Sequence, residues 1–523
     1  MRISTTPRAR ALVGLAAIVA VALAGCSTPV PNPSSPAPGS QPASAAPAGG
    51  KLVIGVTSDV DTLFPWKATQ FNTVNVMQTL YGTLTEFDKD LAVVPGIATS
   101  WDVSEDGLTV TFHLRDGVKF ADGSACDSAD VKFSLEKIMD EATAAVARAS
   151  LAAVTKVEAV DPLTVKLTLS GPDVTLPSNL AVINMAILSS TDTEESLNTK
   201  PNGTGPFTLA DRKPNQSLTL ARNANYWGEA PKLDGVEFRV IPDETSIVSA
   251  MQSGDVHLSI FDDPLVAKSA ESSGIKIQET PQLAYHVLQL NDSKGVLTDL
   301  NVRLALQCAI DRQQVLDTAA LGEGQITGPI TSPAFRSDPS KRPCPTRDLT
   351  KAADYLAKAG KADGVTIKAI VSQGEYATSV NEAQNLQAQL KEAKITLELE
   401  VLESGAYVSR WLAADFEAAV ALNGGRPEPY GMYNRYFIST GNLNKVAGYS
   451  SPELDALFDQ ARQESDVAAR KAVYDKIGAY LEDNAVWVWL FTSFTYAATT
   501  GNVHDFTPMA NDSMQYLRST WIG

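Results

Sequence analysis

Strand and turn signals follow one another in the stretch TFHLRDGVKFADG, which runs from Thr111 to Gly123. Its first apolar residues continue an alternation of apolar and polar side chains that starts at Leu108, and this period of two predicts a half-buried strand. Arg115-Asp116-Gly117 predicts a hairpin turn between two strands, and Asp122-Gly123 predicts a second turn. The stretch therefore favours β-hairpin structure in this part of the chain.

Helix and strand signals of similar quality are spread over the rest of the chain. Strands are predicted near 165–169 and 395–401 from their period of two. A helix is predicted after Ser128, whose hydroxyl suits a cap. Another is predicted at Ser451-Pro452-Glu453, where a capping hydroxyl precedes a proline and an acid. Because helices and strands are interspersed without a repeat of fixed period, the predicted class is α/β with mixed sheets.

Length and charge limit the possible classes of protein. The chain has 523 residues and a formal net charge of −17. Roughly 470 residues follow the N-terminal region, which is more than one hydrophobic core normally organises, so two lobes or three subdomains are expected. The negative charge argues against a nucleic-acid-binding surface. Beyond the N-terminal region no run reaches the ~18 apolar residues that a membrane-spanning helix needs.

The N-terminus has the pattern of an export signal. Basic residues precede an apolar run from Ala11 to Leu23, which is too short for a stable transmembrane helix. Leu23-Ala24-Gly25-Cys26 resembles a bacterial lipoprotein lipobox, and this resemblance implies removal of residues 1–25 and acylation of Cys26. The alternative is an ordinary secretory signal. Residues 26–50 are rich in Pro, Ala and Ser, which predicts a disordered tether.

Three cysteines follow Cys26. An exported protein occupies a compartment where disulfides persist, so a pair among Cys126, Cys308 and Cys344 is expected. The preferred pair is Cys308 with Cys344, which would close a loop rich in Gly and Pro. Cys126 is interpreted as a buried thiol.

Motifs that would indicate catalysis are missing. The patterns H-E-x-x-H, G-x-S-x-G and the P-loop do not occur, and the four histidines are widely scattered. We therefore expect no enzyme and no cofactor. No metal site is predicted either, although the abundant acids leave one built from distant carboxylates open.

An ordered set of motifs resembles the family of extracytoplasmic solute-binding proteins, family 5, that serve peptide, nickel and related ABC importers. In order and spacing the set covers nearly the whole chain after the tether. Its main members are Leu80–Leu84, Val94–Trp101, Thr111–Gly123, Asn202–Phe207, Arg222–Trp227, Asp299–Leu306 and Ala309–Arg312.

This resemblance implies a two-lobed periplasmic-binding-protein-like (type II) fold with mixed sheets, a hinge and an extra subdomain in the first lobe. The implied first lobe comprises residues 51–285 and 490–523, with the subdomain at about 86–200. The implied second lobe comprises residues 286–489. Residues 202–207 read N-G-T-G-P-F, in which the glycines are predicted to permit positive φ. Tyr226 and Trp227 are predicted as core or lobe-edge residues rather than ligand contacts.

The resemblance also implies two walls for a ligand pocket. In one, the backbone of Asp59, Val60 and Asp61 would pair with an extended peptide. The other corresponds to residues 421–429, which include Leu422, Asn423, Gly425 and Arg426.

Position 425 departs from the pattern of the peptide-binding relatives. Members of the family that hold a free peptide N-terminus carry aspartate where this chain has Gly425. Asp59, Asp61 or Glu428 would then have to hold an amine. Arg426 favours a carboxylate or phosphate, or alternatively a hinge or surface ion pair.

Three further residues are candidates for the ligand pocket. Lys294 matches a lysine that some relatives present to the ligand's C-terminus. Tyr285 and Tyr430 are candidate wall residues, with a place in the core as the alternative.

The predicted function is that of a lipid-anchored, monomeric substrate-binding protein on the outer face of the cell membrane. It would deliver peptides or peptide-like solutes to the permease of an ABC importer. A non-peptide ligand such as a metal complex, an opine or a sugar oligomer is the first alternative. An exported hydrolase or a sensory receptor is the alternative from another class.

Overall fold

The computed structural model describes residues 49–523 except 374, 375 and 377. The predicted signal peptide, Cys26 and most of the predicted tether lie outside the described residues. Within the described part, no helix is long and apolar enough to cross a bilayer.

The strands, in chain order, are β1 (Lys51–Val56), β2 (Thr85–Phe87), β3 (Val93–Pro95), β4 (Ala98–Val103), β5 (Thr109–Leu114), β6 (Val154–Asp161), β7 (Thr164–Leu169), β8 (Phe207–Lys213), β9 (Ser217–Arg222), β10 (Gly235–Val240), β11 (Leu258–Phe261), β12 (Lys276–Pro281), β13 (Tyr285–Leu290), β14 (Gly324–Ile326), β15 (Val365–Gln373), β16 (Ile395–Glu403), β17 (Ala418–Asn423), β18 (Trp487–Trp489), β19 (Phe491–Thr499), β20 (Val503–His504) and β21 (Trp521–Ile522).

The helices are α1 (Phe71–Leu80), α2 (Ser128–Met139), α3 (Leu176–Asn179), α4 (Glu194–Thr199), α5 (Glu244–Ser253), α6 (Pro264–Ser272), α7 (Leu300–Ala309), α8 (Arg312–Ala319), α9 (Leu349–Lys358), α10 (Ser379–Glu392), α11 (Ser404–Ala413), α12 (Tyr430–Phe437), α13 (Asn444–Ala447), α14 (Pro452–Gln463) and α15 (Val467–Asp483).

An eight-stranded mixed sheet organises the first lobe, in the order β12-β19-β11-β1-β10-β9-β8, with β14 also paired to β19. Strand β1 runs parallel to β10 and β11. Successive side chains of β1 serve opposite faces, as the pleat of a strand requires. Leu52 and Ile54 join the large core of this lobe, and Val53 joins a smaller core that includes residues of α5 and α6.

A five-stranded mixed sheet, in the order β16-β15-β17-β13-β18, organises the second lobe. Its core takes buried residues only from the range 285–491. All six residues of β13 are buried, because this strand lies inside the sheet and is covered on both faces. Two lobes with separate sheets and cores confirm the predicted mixed α/β fold.

The extra subdomain of the first lobe contains the antiparallel sheet β4-β5-β7-β6. Strand β5 has the predicted alternation, with Val110, Phe112 and Leu114 buried. The predicted hairpin at Arg115–Gly117 is wrong, because β5 pairs with β4 and β7 rather than with the segment that follows it. The second turn closes only an isolated bridge between Lys119 and Ala125.

The cap of α2 differs from the prediction by one residue. The Asp127 carboxylate accepts a hydrogen bond from the Ala129 N–H at 2.8 Å, and Asp130 reaches back to the Asp127 N–H at 3.2 Å. Ser128 instead donates to the Asp161 carbonyl at 2.6 Å. The helix start at Ser451 is confirmed, since its hydroxyl accepts from the Leu454 N–H.

The chain passes between the lobes at 282–284 and returns near 490, and the two passages lie side by side. Thr492 Oγ1 lies 2.6 Å from the carbonyl oxygens of both Gln282 and Ala284. His286 lies 2.8 Å from Ser493 Oγ through Nε2 and 2.8 Å from Glu382 through Nδ1. This network links β13 and α10 of the second lobe to β19 of the first, and we call this pair of passages the hinge.

A disulfide joins Cys308, near the end of α7, to Cys344, with their Cα atoms 5.0 Å apart. Both residues lie in the core of the second lobe. Cys126 is buried and is the unbonded cysteine of the described residues. Burial raises the pKa of its thiol well above the ordinary value, so it is a poor nucleophile.

Replacing both Cys308 and Cys344 by serine is expected to lower the free energy of unfolding by about 3–4 kcal/mol, because the bridge closes a loop with a sequence separation of 36. Calorimetry with and without a reductant measures this effect. Reduction should destabilise the unaltered protein and a Cys126→Ala control, but not the double variant. A double variant that is still destabilised by the reductant would contradict the pairing.

Candidate functional site

A cavity of about 470 Å³ lies between the lobes. This volume falls in the range of ~300–1,000 Å³ that is usual for small-molecule sites. The first lobe supplies most of its lining. The hinge supplies Leu283, and the second lobe supplies residues 425–428, which follow β17.

The N-G-T-G-P-F motif forms part of the first-lobe wall, with Thr204, Gly205 and Pro206 in the lining. The prediction of positive φ at its glycines is wrong. Gly203 and Gly205 are required for another reason, since a Cβ on either would lie within 2.1–2.5 Å of the Leu80 backbone. The close approach of the motif to the end of α1 fixes Thr204 in the wall.

Two aromatic residues, Tyr226 and Trp227, form a second part of the wall. The Arg115 guanidinium lies 4.5 Å from the centroid of the Trp227 ring, an attractive cation–π arrangement. Tyr226 packs beside Trp227, with ring centroids 5.3 Å apart. Both residues line the cavity at the edge of the first lobe, and the expectation that they do not contact the ligand stays a prediction. Their place in the wall follows from long-range packing, which the local motif does not encode.

An ion pair between two lining residues, Arg518 and Glu86, also belongs to this wall. Arg518 lies 2.7 Å from Glu86. Burial acts to lower the pKa of Arg518, but Glu86 and Tyr226 outweigh it and raise this pKa above its ordinary value. Sequence reasoning missed Arg518 and Glu86, because they are 432 residues apart in the chain.

The second-lobe loop is held from behind by hydrogen bonds. Ser332 donates to the Pro427 carbonyl at 2.5 Å. Glu428 is buried, accepts a hydrogen bond from the Tyr474 hydroxyl and lies 3.6 Å from Arg470. Burial raises the pKa of Glu428, and Arg470 partly offsets this effect. The carboxylate of Glu428 is therefore already satisfied by protein groups.

Gly425 lies against the hinge. A Cβ at this position would be 2.1 Å from the Leu283 carbonyl oxygen and 2.7 Å from its Cβ. Heavy atoms cannot approach so closely, so any side chain here would displace the loop or the hinge. This backbone therefore leaves no room for an aspartate side chain at position 425.

Arg426 is the cation that the loop brings to the cavity. Its side chain has no hydrogen-bond or ion-pair partner among the described residues, and more than a third of the residue's surface is accessible. The surrounding protein and the nearby Arg435 lower its pKa from the ordinary value. Because Arg426 is exposed and lines the cavity, a ligand in the cavity can reach it.

The segment Asp59–Asp61 lies outside the cavity lining. Three of its backbone groups already have partners. The Val60 N–H donates to Asp59 Oδ1 at 2.8 Å and the Val60 carbonyl accepts from Arg212 at 2.6 Å. The Asp61 N–H donates to Thr73 Oγ1 at 3.1 Å. In this structure the Val60 backbone and the Asp61 N–H are therefore not free for the predicted pairing with a peptide strand.

The remaining predicted contacts also lie away from the cavity. Tyr285 is 0% exposed and stacks on Tyr433 with centroids 5.9 Å apart, so it has the alternative role of a core residue. Asn423 is buried and donates to the Tyr285 hydroxyl at 3.3 Å. Three more predicted residues lie outside the lining. Leu422 is partly exposed on β17, and Lys294 is exposed. Tyr430 packs on Phe458. Of the predicted ligand-binding residues, Gly425 and Arg426 line the cavity.

No group of three His, Cys, Asp or Glu side chains in the described part of the chain is placed to hold a metal ion. The described lining of the cavity instead combines aromatic residues, a few fixed polar groups and one cation without a partner, Arg426. Two lobes that share such a cavity define a class of protein that binds a small solute between them.

The comparisons with known proteins place the chain in a family. Residues 92–444 match the family model described as bacterial extracellular solute-binding proteins, family 5 Middle, and the chain belongs to this family. Its members are binding proteins, which agrees with the prediction that the chain is not an enzyme.

Individual relatives are similar over almost the full length. The glutathione-binding protein GsiB of Escherichia coli O1:K1 / APEC is 26% identical over 502 residues, which cover 91% of this chain and 95% of GsiB. The structure of HbpA2 from Haemophilus parasuis has a TM-score of 0.83 at 24% identity, over 91% of this chain and 100% of HbpA2; this likeness concerns the fold. DppA from Helicobacter pylori, an ABC transporter-associated periplasmic binding protein in complex with the peptide STSA, has a TM-score of 0.72 at 25% identity, over 91% and 98%.

Gly425→Ala is expected to destabilise the protein by about 1–3 kcal/mol, because the added methyl group overpacks the hinge at Leu283. Gly424→Ala is the matched control, since its nearest neighbour would be Met432 Cε at 3.8 Å. Thermal unfolding of both variants measures the difference. Equal melting temperatures would contradict the steric role of position 425.

Proposed function

We propose that the protein is the substrate-binding component of an ABC importer and captures a peptide or peptide-like solute in the cavity between its lobes. The observation that carries the proposal is the shared lining of this cavity by the first lobe, the hinge and the second-lobe loop. The names of GsiB and DppA support a peptide-like ligand. The protein would act as a monomer and deliver the solute to a membrane permease.

Closure of the lobes follows from the same arrangement. A solute that touches both lobes binds the closed state more tightly than the open state and shifts the population toward closure. A contact between the lobes supports this mechanism: the Val174 N–H, beyond β7 of the subdomain, donates to the Arg462 carbonyl of α14 at 3.0 Å. We propose the lobe boundaries within about two residues of 285/286 and 489/490, next to the two passages of the hinge.

Saturation with a bound peptide at 100 times its Kd is expected to stabilise the protein by ~2.7 kcal/mol and to reduce its radius of gyration. The protein is first unfolded and refolded to remove solutes that co-purify. A library of short peptides is then screened by thermal unfolding, and hits are tested by small-angle scattering. Solutes released on unfolding are identified by mass spectrometry. A released solute that is not peptide-like, together with no peptide hit, would refute the substrate class, and binding without compaction would refute closure.

The lipid anchor is a separate part of the proposal. It is supported by the sequence Leu23-Ala24-Gly25-Cys26 and by the Pro-, Ala- and Ser-rich segment that follows. An acylated Cys26 with an extended segment would keep the binding lobes near a permease on the outer face of the membrane.

Cys26→Ala is expected to abolish incorporation of a labelled fatty acid and to release the protein into the soluble fraction of expressing cells, because the thiol that would carry the lipid is lost. Cys126→Ala is the control and should leave labelling unchanged. Labelling that persists in the Cys26 variant would exclude this residue as the lipid attachment site.

A further inference from the structure

We infer that the ligand carries a carboxylate, which pairs with Arg426 inside the cavity. This inference rests on the proposed function, since it specifies the ligand chemistry of the same cavity. It assigns the protein to anionic, peptide-like solutes of a size that fits about 470 Å³, rather than to cationic or neutral ones.

One charged side chain in the described cavity wall lacks a partner. Its described lining contains the charged residues Glu86, Glu428, Arg426 and Arg518. Glu86 is paired with Arg518 at 2.7 Å. Glu428 is paired with Arg470 at 3.6 Å and also accepts the Tyr474 hydroxyl. Arg426 is left as the one lining charge without a partner in the described part of the chain, so it is the charge that a ligand in the cavity would neutralise.

This pattern disfavours a ligand ammonium group. A buried ammonium group needs a carboxylate to offset its desolvation, and both carboxylates of the described lining are already occupied. Position 425 offers no further site, because a Cβ there would lie 2.1 Å from the Leu283 carbonyl oxygen. A ligand amine would therefore have to stay at the solvent-exposed mouth of the cavity.

The placement of Arg426 suits an anion. A Cβ placed on Gly431 would lie 3.9 Å from Arg426 Cδ, so the side chain runs along the first turn of α12. Arg435, on the same helix, has no ion pair among the described residues and acts electrostatically on Arg426. The positive end of the α12 dipole adds to the same potential. A guanidinium group in such surroundings binds a carboxylate through two parallel hydrogen bonds.

The test uses a library of N-acetylated tripeptides, each prepared as the free acid and as the C-terminal amide, with reduced glutathione as an additional acid. Calorimetric titration gives the affinity of each probe. The acids are expected to bind about ten- to a hundredfold more tightly than the matching amides, since the bond to a charged group is lost in the amide. Amides that bind as tightly as the acids would overturn the carboxylate subsite and leave the solute-binding function intact. Failure of every acid and amide to bind would overturn both.

Variants locate the effect. Arg426→Gln is expected to remove most of the difference between acids and amides, and Arg426→Lys should retain part of it as a point charge. Lys361→Gln is the matched control, because this exposed lysine lies outside the cavity lining and should leave all affinities within about twofold. Unchanged discrimination in Arg426→Gln, or its loss in Lys361→Gln, would overturn the assignment. Arg426 has no hydrogen-bond or ion-pair partner among the described residues, so its variants are expected to keep the melting temperature of the unaltered protein, which thermal unfolding checks.

Discussion

The close packing of Gly425 against Leu283 determines how the cavity is built. Leu283 belongs to the hinge, where its N–H donates to the Ala510 carbonyl at 3.2 Å and its carbonyl accepts from Thr331. The loop after β17 reaches this backbone only because position 425 has no side chain. The hinge, the C-terminal segment and the second-lobe loop thus fix one another. This contact places Arg426 in the cavity wall, where it has no partner among the described residues.

The charged residues of the described cavity lining have two different roles. Most are paired within the protein, whereas Arg426 is free to pair with a ligand. Glu86 with Arg518, and Glu428 with Arg470 and Tyr474, hold the wall together. Their charges are offset inside the protein, which lowers the cost of burying them. Because Arg426 lacks such compensation among the described residues, an anionic solute would both neutralise it and bridge the lobes. Recognition and closure would therefore depend on the same contact.

Sequence reasoning succeeded where a signal is local. The alternation in β5 and the Ser451 cap are both properties of neighbouring residues, and the structure confirms them. The cap of α2 was displaced by one residue, since aspartate and serine stand side by side and both are good caps. Of the candidate site, Gly425 and Arg426 line the cavity. Asp59–Asp61 do not, because Arg212 and Thr73, distant in sequence, bind their backbone.

The sequence by itself determined the α/β class, the family and the presence of an unusual glycine next to an arginine. Only the tertiary structure decided what these residues contact. It placed Tyr226, Trp227 and Arg518 in the cavity wall, and it showed that Gly425 is a steric requirement of the hinge. The physical reason is that periodicity and caps act over a few residues, whereas the cavity is formed by segments up to several hundred residues apart, and packing and charge compensation between them become visible only in three dimensions.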